Sequence, residues 1–331
     1  MILCASCGMY IKYPTQKPNT PWRIITYNDS IEFAQHKKHH VIDSAYAHQS
    51  NNWYFPGNTS FKYPARNLAA GTNELSFTFY LSNGHKRKIT ERLFMVSDSI
   101  PIQVRIEDHI KVPHDEKAFT QGLLYWNKLL YESTGLRGES TLRIINPVNG
   151  QVLKKQALPD SVFSEGIALY DNALHSLTWK DSLLFKFDWD LIKLATQPYP
   201  KEGWGLTTID NKLLASDGTD RLYYLHKNNY QVDSSFQVFN HLGPVYYLNE
   251  LEYIHNRIWA NVLGKDVIVI IDPATGQVVA EIDVAPCINR KANPQLGALN
   301  GIAYNEDQQT VYLTGKNWPF MLVWRPSFFV K

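Results

Sequence analysis

The chain has 331 residues, 44% of them hydrophobic and 19% charged, with a net charge of +2. That length suits two domains with a sizeable core, and the near-neutral balance argues against nucleic acid or another polyanion as the main partner. Three scattered cysteines (Cys4, Cys7 and Cys287) make neither a disulfide framework nor a four-ligand zinc site, and no run approaches the roughly 18 apolar residues of a membrane span.

The chain opens MILCASCG. Ala5 and Ser6 ahead of Cys7 resemble a bacterial lipoprotein cleavage site, yet a signal needs a basic region and about 7–15 apolar residues upstream. Two expectations stand together. One is a start assigned too late, with a lipid anchor at Cys7 and a periplasmic or cell-envelope location. The other is an ordinary first strand with two free thiols. HKKHH at 36–40 is the densest basic run, read as a solvated loop or as a metal or anion site. WRIITY, NELSFTFYLSNG and KRKITERLFMVSD are β-type runs, with Ser82-Asn83-Gly84 as a hairpin turn. Residues 1–100 therefore read as a small β-sandwich, Ig-like in type, that carries no catalytic constellation and serves as a spacer or adhesion module.

From residue 101 the chain repeats. Gln121-Gly122-Leu123, Glu165-Gly166-Ile167, Trp204-Gly205-Leu206, Asn249-Glu250-Leu251 and Asn300-Gly301-Ile302 each open a strand. About seven residues later each meets a turn (WNK, YDN, IDN, IHN, NED), and further strands follow. The anchors lie 44, 39, 45 and 51 residues apart, the range of four-stranded propeller blades. The expected fold is all-β: a five-bladed β-propeller over 101–331, with the run at 102–112 supplying the outer strand that the last blade lacks.

In such a ring the first strands line the axis, so Gln121, Glu165, Trp204, Asn249 and Asn300 share one level. The second strands bring Glu132, Trp179, Asp217, Asn261 or Leu263, and Lys316 to the same end, and Phe119 and Phe163 add apolar wall. This composition suits a small-molecule pocket; a water-filled polar axis is the plainer alternative. Glu165 is the one carboxylate of the inner ring. Among Phe163, Trp179 and Trp204 its charge would be poorly solvated, which raises its pKa and suits it to exchange protons. Lys316 or the amide of Asn249 could stabilise an oxyanion. The segment 217–220, DGTD, is a turn or a cation site.

PHDEKAFTQGL, YESTG, FSEGIAL, LTWKD, GWGLTTID, SDGTDRLYYL, LNELEYI, IWANV, IDPATG and LNGIAY, in this order over residues 102–331, resemble the plant and bacterial glutaminyl cyclases (glutamine cyclotransferases). The resemblance implies a five-bladed propeller that converts an N-terminal glutamine of a peptide or protein to pyroglutamate with release of ammonia. It implies Glu165 as the catalytic carboxylate, with Phe119, Gln121, Phe163, Trp179, Trp204, Asn249 and Lys316 as its other pocket residues. One position departs: Leu263 stands where the family usually carries a second Trp. The expected catalytic set is Glu165, Lys316 and Asn249, and the expected substrate contacts are Phe119, Gln121, Phe163, Trp179, Trp204 and Leu263. With no histidine in the inner ring, no metal ligands and no cofactor are expected for catalysis, while a structural cation on the axis is left open. The competing reading is a non-catalytic propeller that holds peptides or sugars at its axial pocket.

Overall fold

The structure is a computed structural model, and it describes residues 2–4, 9–12, 23–35, 42–48, 52–56, 60–82, 84–96 and 99–327. Cys7 and the HKKHH run lie outside the described residues. Backbone contacts divide the chain into two units, Met1–Ile100 with Phe239–Pro244, and Pro101–Val238 with Val245–Lys331. The description is predominantly all-β throughout.

The first unit holds two sheets. One orders Ile2–Cys4, Met9–Lys12, Ser30–Gln35 and Ser60–Pro64; the other orders Arg23–Thr26, Lys86–Val96, Gly71–Leu81, Ile42–His48 and Asn52–Pro56. Arg23–Thr26 runs parallel to its neighbour, and every other pair is antiparallel. The long strand Gly71–Leu81 alternates strictly, and its inward Leu75, Phe77 and Phe79 meet Ile31, Phe33 and Tyr63 of the other sheet in one core. That period of two is what buries one face of a strand while wetting the other. Six residues far along the chain, Phe239–Pro244, belong to this unit as a short hairpin, where Phe239 clusters with Ile24, Phe94 and Val96.

The second unit contains five sheets, four of four antiparallel strands and one of five. Their first strands are Thr120–Trp126, Ser164–Tyr170, Leu206–Ile209, Leu248–Ile254 and Leu299–Asn305. These neighbour one another in cyclic order, the fifth returning to the first. The first-to-second-strand hairpins of four sheets turn on residue pairs with positive φ: Asn127-Lys128, Asp171-Asn172, Asp210-Asn211 and His255-Asn256. Two successive left-handed residues define the type I′ turn, whose twist matches that of the strands. The fifth turn is longer, and only Gln309 takes a positive φ there.

The 102–112 run splits in two. His109–Pro113 is the outer strand of the fifth sheet, antiparallel to Phe320–Trp324. Ile102–Arg105 instead adds a fifth strand to the fourth sheet, parallel to Val278–Asp283. Asp108, at φ 42°, breaks the run between them, since a left-handed residue cannot continue an extended strand.

The inner strands bulge where the repeat anchors stand. Pairing with the second strand shifts register between Thr120 and Gly122, Ser164 and Ile167, Leu248 and Leu251, and Leu299 and Ile302. Gln121, Glu165, Asn249 and Asn300 are thus released from their own sheets, the re-aiming that bulges perform. Their neighbourhood bonds across sheets instead. Ser133 Oγ donates to the Glu165 carbonyl (2.5 Å), Gly166 N–H to the Trp204 carbonyl (2.6 Å) and Ser216 Oγ to the Asn249 carbonyl (2.7 Å). Gly301 N–H donates to Asn261 Oδ1 (3.0 Å) and Asn300 Nδ2 to the Thr120 carbonyl (3.1 Å). Each sheet is so tied to the next, and the fifth to the first.

Such close approach explains glycine after the anchor. A Cβ on Gly205 would stand 1.9 Å from the Asn249 carbonyl oxygen, and one on Gly166 2.5 Å from the Leu206 nitrogen. In the fourth sheet the equivalent residue is Glu250, whose buried carboxyl accepts from Leu123 N–H (3.3 Å) and Ile302 N–H (2.9 Å) and so reaches two other sheets. Gly205→Ala should therefore cost about 3 kcal/mol or more, because the clash is with backbone that cannot repack. A urea unfolding curve measures this, and an unchanged midpoint would show that the inner strands can part.

Candidate active site

All nine residues expected at the site, Phe119, Gln121, Phe163, Glu165, Trp179, Trp204, Asn249, Leu263 and Lys316, line one cavity of about 220 Å³. Its origin is local. Gln121, Glu165 and Asn249 stand on the bulges, and Trp204 stands two residues before the start of the third inner strand. Phe119 and Phe163 precede the first and second inner strands, while Trp179, Leu263 and Lys316 follow second strands. The polar members, Gln121, Glu165, Asn249 and Lys316, are buried, and the four rings and Leu263 are half-buried.

The wall is continuous. The Phe119 and Phe163 rings meet edge-on at 6.2 Å, and Phe163 meets Trp179 at 5.6 Å. Lys316 Nζ lies 4.8 Å from the centroid of the Phe119 ring, within cation–π range when charged. The floor is a directed chain of amides. Asn300 Nδ2 donates to Gln121 Oε1 (2.9 Å), which turns Gln121 Nε2 toward Glu165 Oε1 (3.2 Å). The Glu165 carboxyl is thereby held by one oxygen.

Burial pushes the Glu165 carboxyl well above its ordinary 4.5; Lys316 opposes the shift and Glu202 adds to it. Burial likewise pulls the Lys316 amine below 10.5, against the attraction of Glu165. Both groups are driven toward their neutral forms because few dipoles solvate them. A carboxyl shifted upward takes a proton more readily as the anion and can give it back as the acid. Two further polar atoms in the pocket, Trp204 Nε1 and Asn249 Oδ1, are buried without a hydrogen-bond partner. Both belong to residues of the cavity wall, and a buried polar atom left unpaired costs about 1–3 kcal/mol.

The remaining second-strand residues go elsewhere. Glu132 is buried against His114 (2.9 Å) and Thr120 (2.7 Å), with Arg143 at 3.6 Å. Burial favours the neutral forms of His114 and Glu132, but their mutual attraction prevails, raising the first and lowering the second. Asp217 pairs with Lys201 at 3.0 Å and accepts from Thr219 N–H, so the DGTD segment is a self-bonded turn. Asn261 holds Gly301, as above. Among the described residues no three His, Cys, Asp or Glu side chains gather to hold a metal ion. A larger cavity, about 390 Å³, opens at the other end of the inner strands around Trp126, Tyr170, Glu252 and Tyr253. Its half-buried acid, Glu252, is pushed up to about 8 by burial, against hydrogen bonds from Tyr304 N–H, Tyr253 N–H and Thr207. Those bonds tie strands together.

An all-β unit whose inner strands close in a ring, with a ring-walled pocket around a buried carboxyl, has the make-up of a site for one small polar group. Residues 87–324 match the family model described as glutamine cyclotransferase. Over 220 residues, 65% of this chain and 69% of the relative, the sequence is 37% identical to the glutaminyl-peptide cyclotransferase of Arabidopsis thaliana. The crystal structure of Myxococcus xanthus glutaminyl cyclase superposes with a TM-score of 0.62 at 34% identity, covering 67% of this chain and 97% of that one. The chain belongs to the glutamine cyclotransferase family.

Glu165 also makes the stability depend on pH. A carboxyl whose folded pKa lies above its unfolded value stabilises the fold below the unfolded pKa, and that contribution is lost as pH rises through the folded one. The melting temperature of Glu165→Gln relative to wild type should therefore climb as pH rises above 4.5. A constant difference from pH 4 to 8 would place the carboxylate in a solvated site.

Proposed function

We propose that the protein is a glutaminyl-peptide cyclotransferase that closes the N-terminal glutamine of a peptide to pyroglutamate and releases ammonia, with Glu165 carrying the proton. The observation behind this reading is the buried Glu165 carboxyl, oriented by Gln121 and sharing a cavity with Lys316 and four aromatic rings. The five sheets are the blades of a five-bladed propeller, a reading supported by their cyclic first-strand contacts. The two facing sheets of the first unit form the Ig-like sandwich ahead of it.

The substrate's α-amine has a pKa of about 7.7–8.0, so a useful fraction is neutral near pH 7. Its nitrogen attacks the side-chain amide carbon, the new C–N bond closes a five-membered ring, and the carbonyl oxygen gains negative charge. Glu165 takes a proton from the attacking nitrogen and supplies one to the departing nitrogen, which leaves as ammonia when the old C–N bond breaks. Trp179 and Trp204 press the side chain into its folded, reactive shape, which the cavity's small volume favours over an extended one. Lys316 and Asn249 contact the reacting amide, the lysine stabilising the oxyanion and the asparagine amide orienting the substrate. The side chains carry the chemistry with no cofactor.

Glu165→Gln should stay folded near neutral pH, melting no lower than wild type, and lose about 10²–10⁴-fold in turnover, measured as ammonia released from a glutamine-initiated dipeptide. Near-normal release would remove Glu165 from the reaction, and none from wild type would leave a binding protein. Turnover should also persist after prolonged dialysis against a strong chelator; activity lost there and restored by zinc would contradict the side-chain mechanism.

A further inference from the structure

The backbone sets one more aromatic residue at the rim of the pocket. In four sheets the residue after the second strand donates its N–H to the carbonyl of the residue before the first. The pairs are Gly135 to Phe119 (2.8 Å), Trp179 to Phe163 (3.0 Å), Leu263 to Tyr247 (2.9 Å) and Lys316 to Ala298 (2.9 Å). Tyr247 is thus the fourth sheet's counterpart of the two phenylalanines in the cavity wall. It stands two residues ahead of Asn249, as Phe119 and Phe163 stand ahead of Gln121 and Glu165.

Its conformation differs from theirs. At φ +64° Tyr247 occupies the left-handed region, where a bulky residue is an outlier and glycine or asparagine the usual occupant. Bonds on both sides hold it there, because its own N–H donates to the Gly218 carbonyl at 2.8 Å. Gly218 in turn lies under Trp204, whose ring is 2.6 Å from where a Cβ on Gly218 would stand. The strained backbone leaves the Tyr247 side chain outside the cavity and 59% exposed, next to Tyr246 at 42%. Charges in the neighbouring sector are engaged with one another: Lys201 with Asp217, and Lys180 with Glu202 and the Trp179 ring. A ring kept at a position that suits a residue without one is strain of the kind that functional sites retain.

We infer that Tyr247, with Leu263 beside it, forms a subsite for the second residue of the peptide and favours an apolar or aromatic side chain there. The inference rests on the proposed cyclotransferase activity. A cavity of about 220 Å³ takes the glutamine and little more, so the rest of the peptide leaves across the rim. There a flat, partly apolar ring offers contact area at small entropic cost. The contact lies away from the reacting amide and persists from ground state to transition state, so it acts on KM rather than kcat.

The test compares glutaminyl-phenylalanine amide with glutaminyl-glycine amide in wild type, Tyr247→Asn and Tyr247→Phe, following ammonia release. Asparagine tolerates the left-handed backbone and removes the ring, while phenylalanine keeps it. Wild type should prefer the phenylalanine peptide on the order of tenfold in kcat/KM, through KM. Tyr247→Asn should lose most of that preference, and Tyr247→Phe should retain it. Equal use of the two peptides by wild type, or an undiminished preference in Tyr247→Asn, overturns the subsite while leaving the activity standing. No turnover of either peptide overturns both.

Discussion

The second unit depends on how closely five inner strands approach one another. At the level of the repeat anchors each sheet is joined to the next by a hydrogen bond to backbone, from Ser133 through Gly166, Ser216 and Asn261 to Asn300. Buried carbonyls and N–H groups that the bulges release from their own ladders find partners in the adjoining sheet. Hydroxyls and amides do this stitching, and glycine at the following position leaves room for it. The site stands on that closure, because the bulges that permit it also aim Gln121, Glu165 and Asn249 into the cavity.

Three buried acids show how partners decide role. Glu132 faces His114 and Arg143 and is held below its ordinary value; it acts as a fixed anion inside the first sheet. Glu250 is raised by burial and by Glu252, but both of its oxygens accept backbone N–H groups. Glu165 is raised by the same burial, yet a single amide holds it and it faces a cavity. Only the last combines a shifted equilibrium with a cavity and a single amide partner, the combination that the proposed proton carrier requires.

Repetition made most of this legible in the amino-acid order. Hydrophobic alternation and the recurring turns disclosed the strands, and the spacing of Gln121, Glu165, Trp204, Asn249 and Asn300 pointed to one shared level. Other features were not legible. Glu132 and Asp217 occupy second-strand positions much like those of Trp179 and Lys316, yet each is neutralised by a partner distant in sequence, His114 or Lys201. The 102–112 run reads as one strand, but one left-handed aspartate divides it between two sheets. Tyr247 could have been found, since it precedes its anchor by the same two residues as Phe119 and Phe163.

The sequence by itself determined the strands, their turns and the residue types offered at each repeat position, because alternation and turn chemistry are properties of neighbouring residues. Tertiary structure alone decided which polar groups stay partnered, which rings meet and which raised carboxyl faces a cavity. Those outcomes depend on burial and on contacts between residues far apart in the chain, and both arise only when the five sheets close.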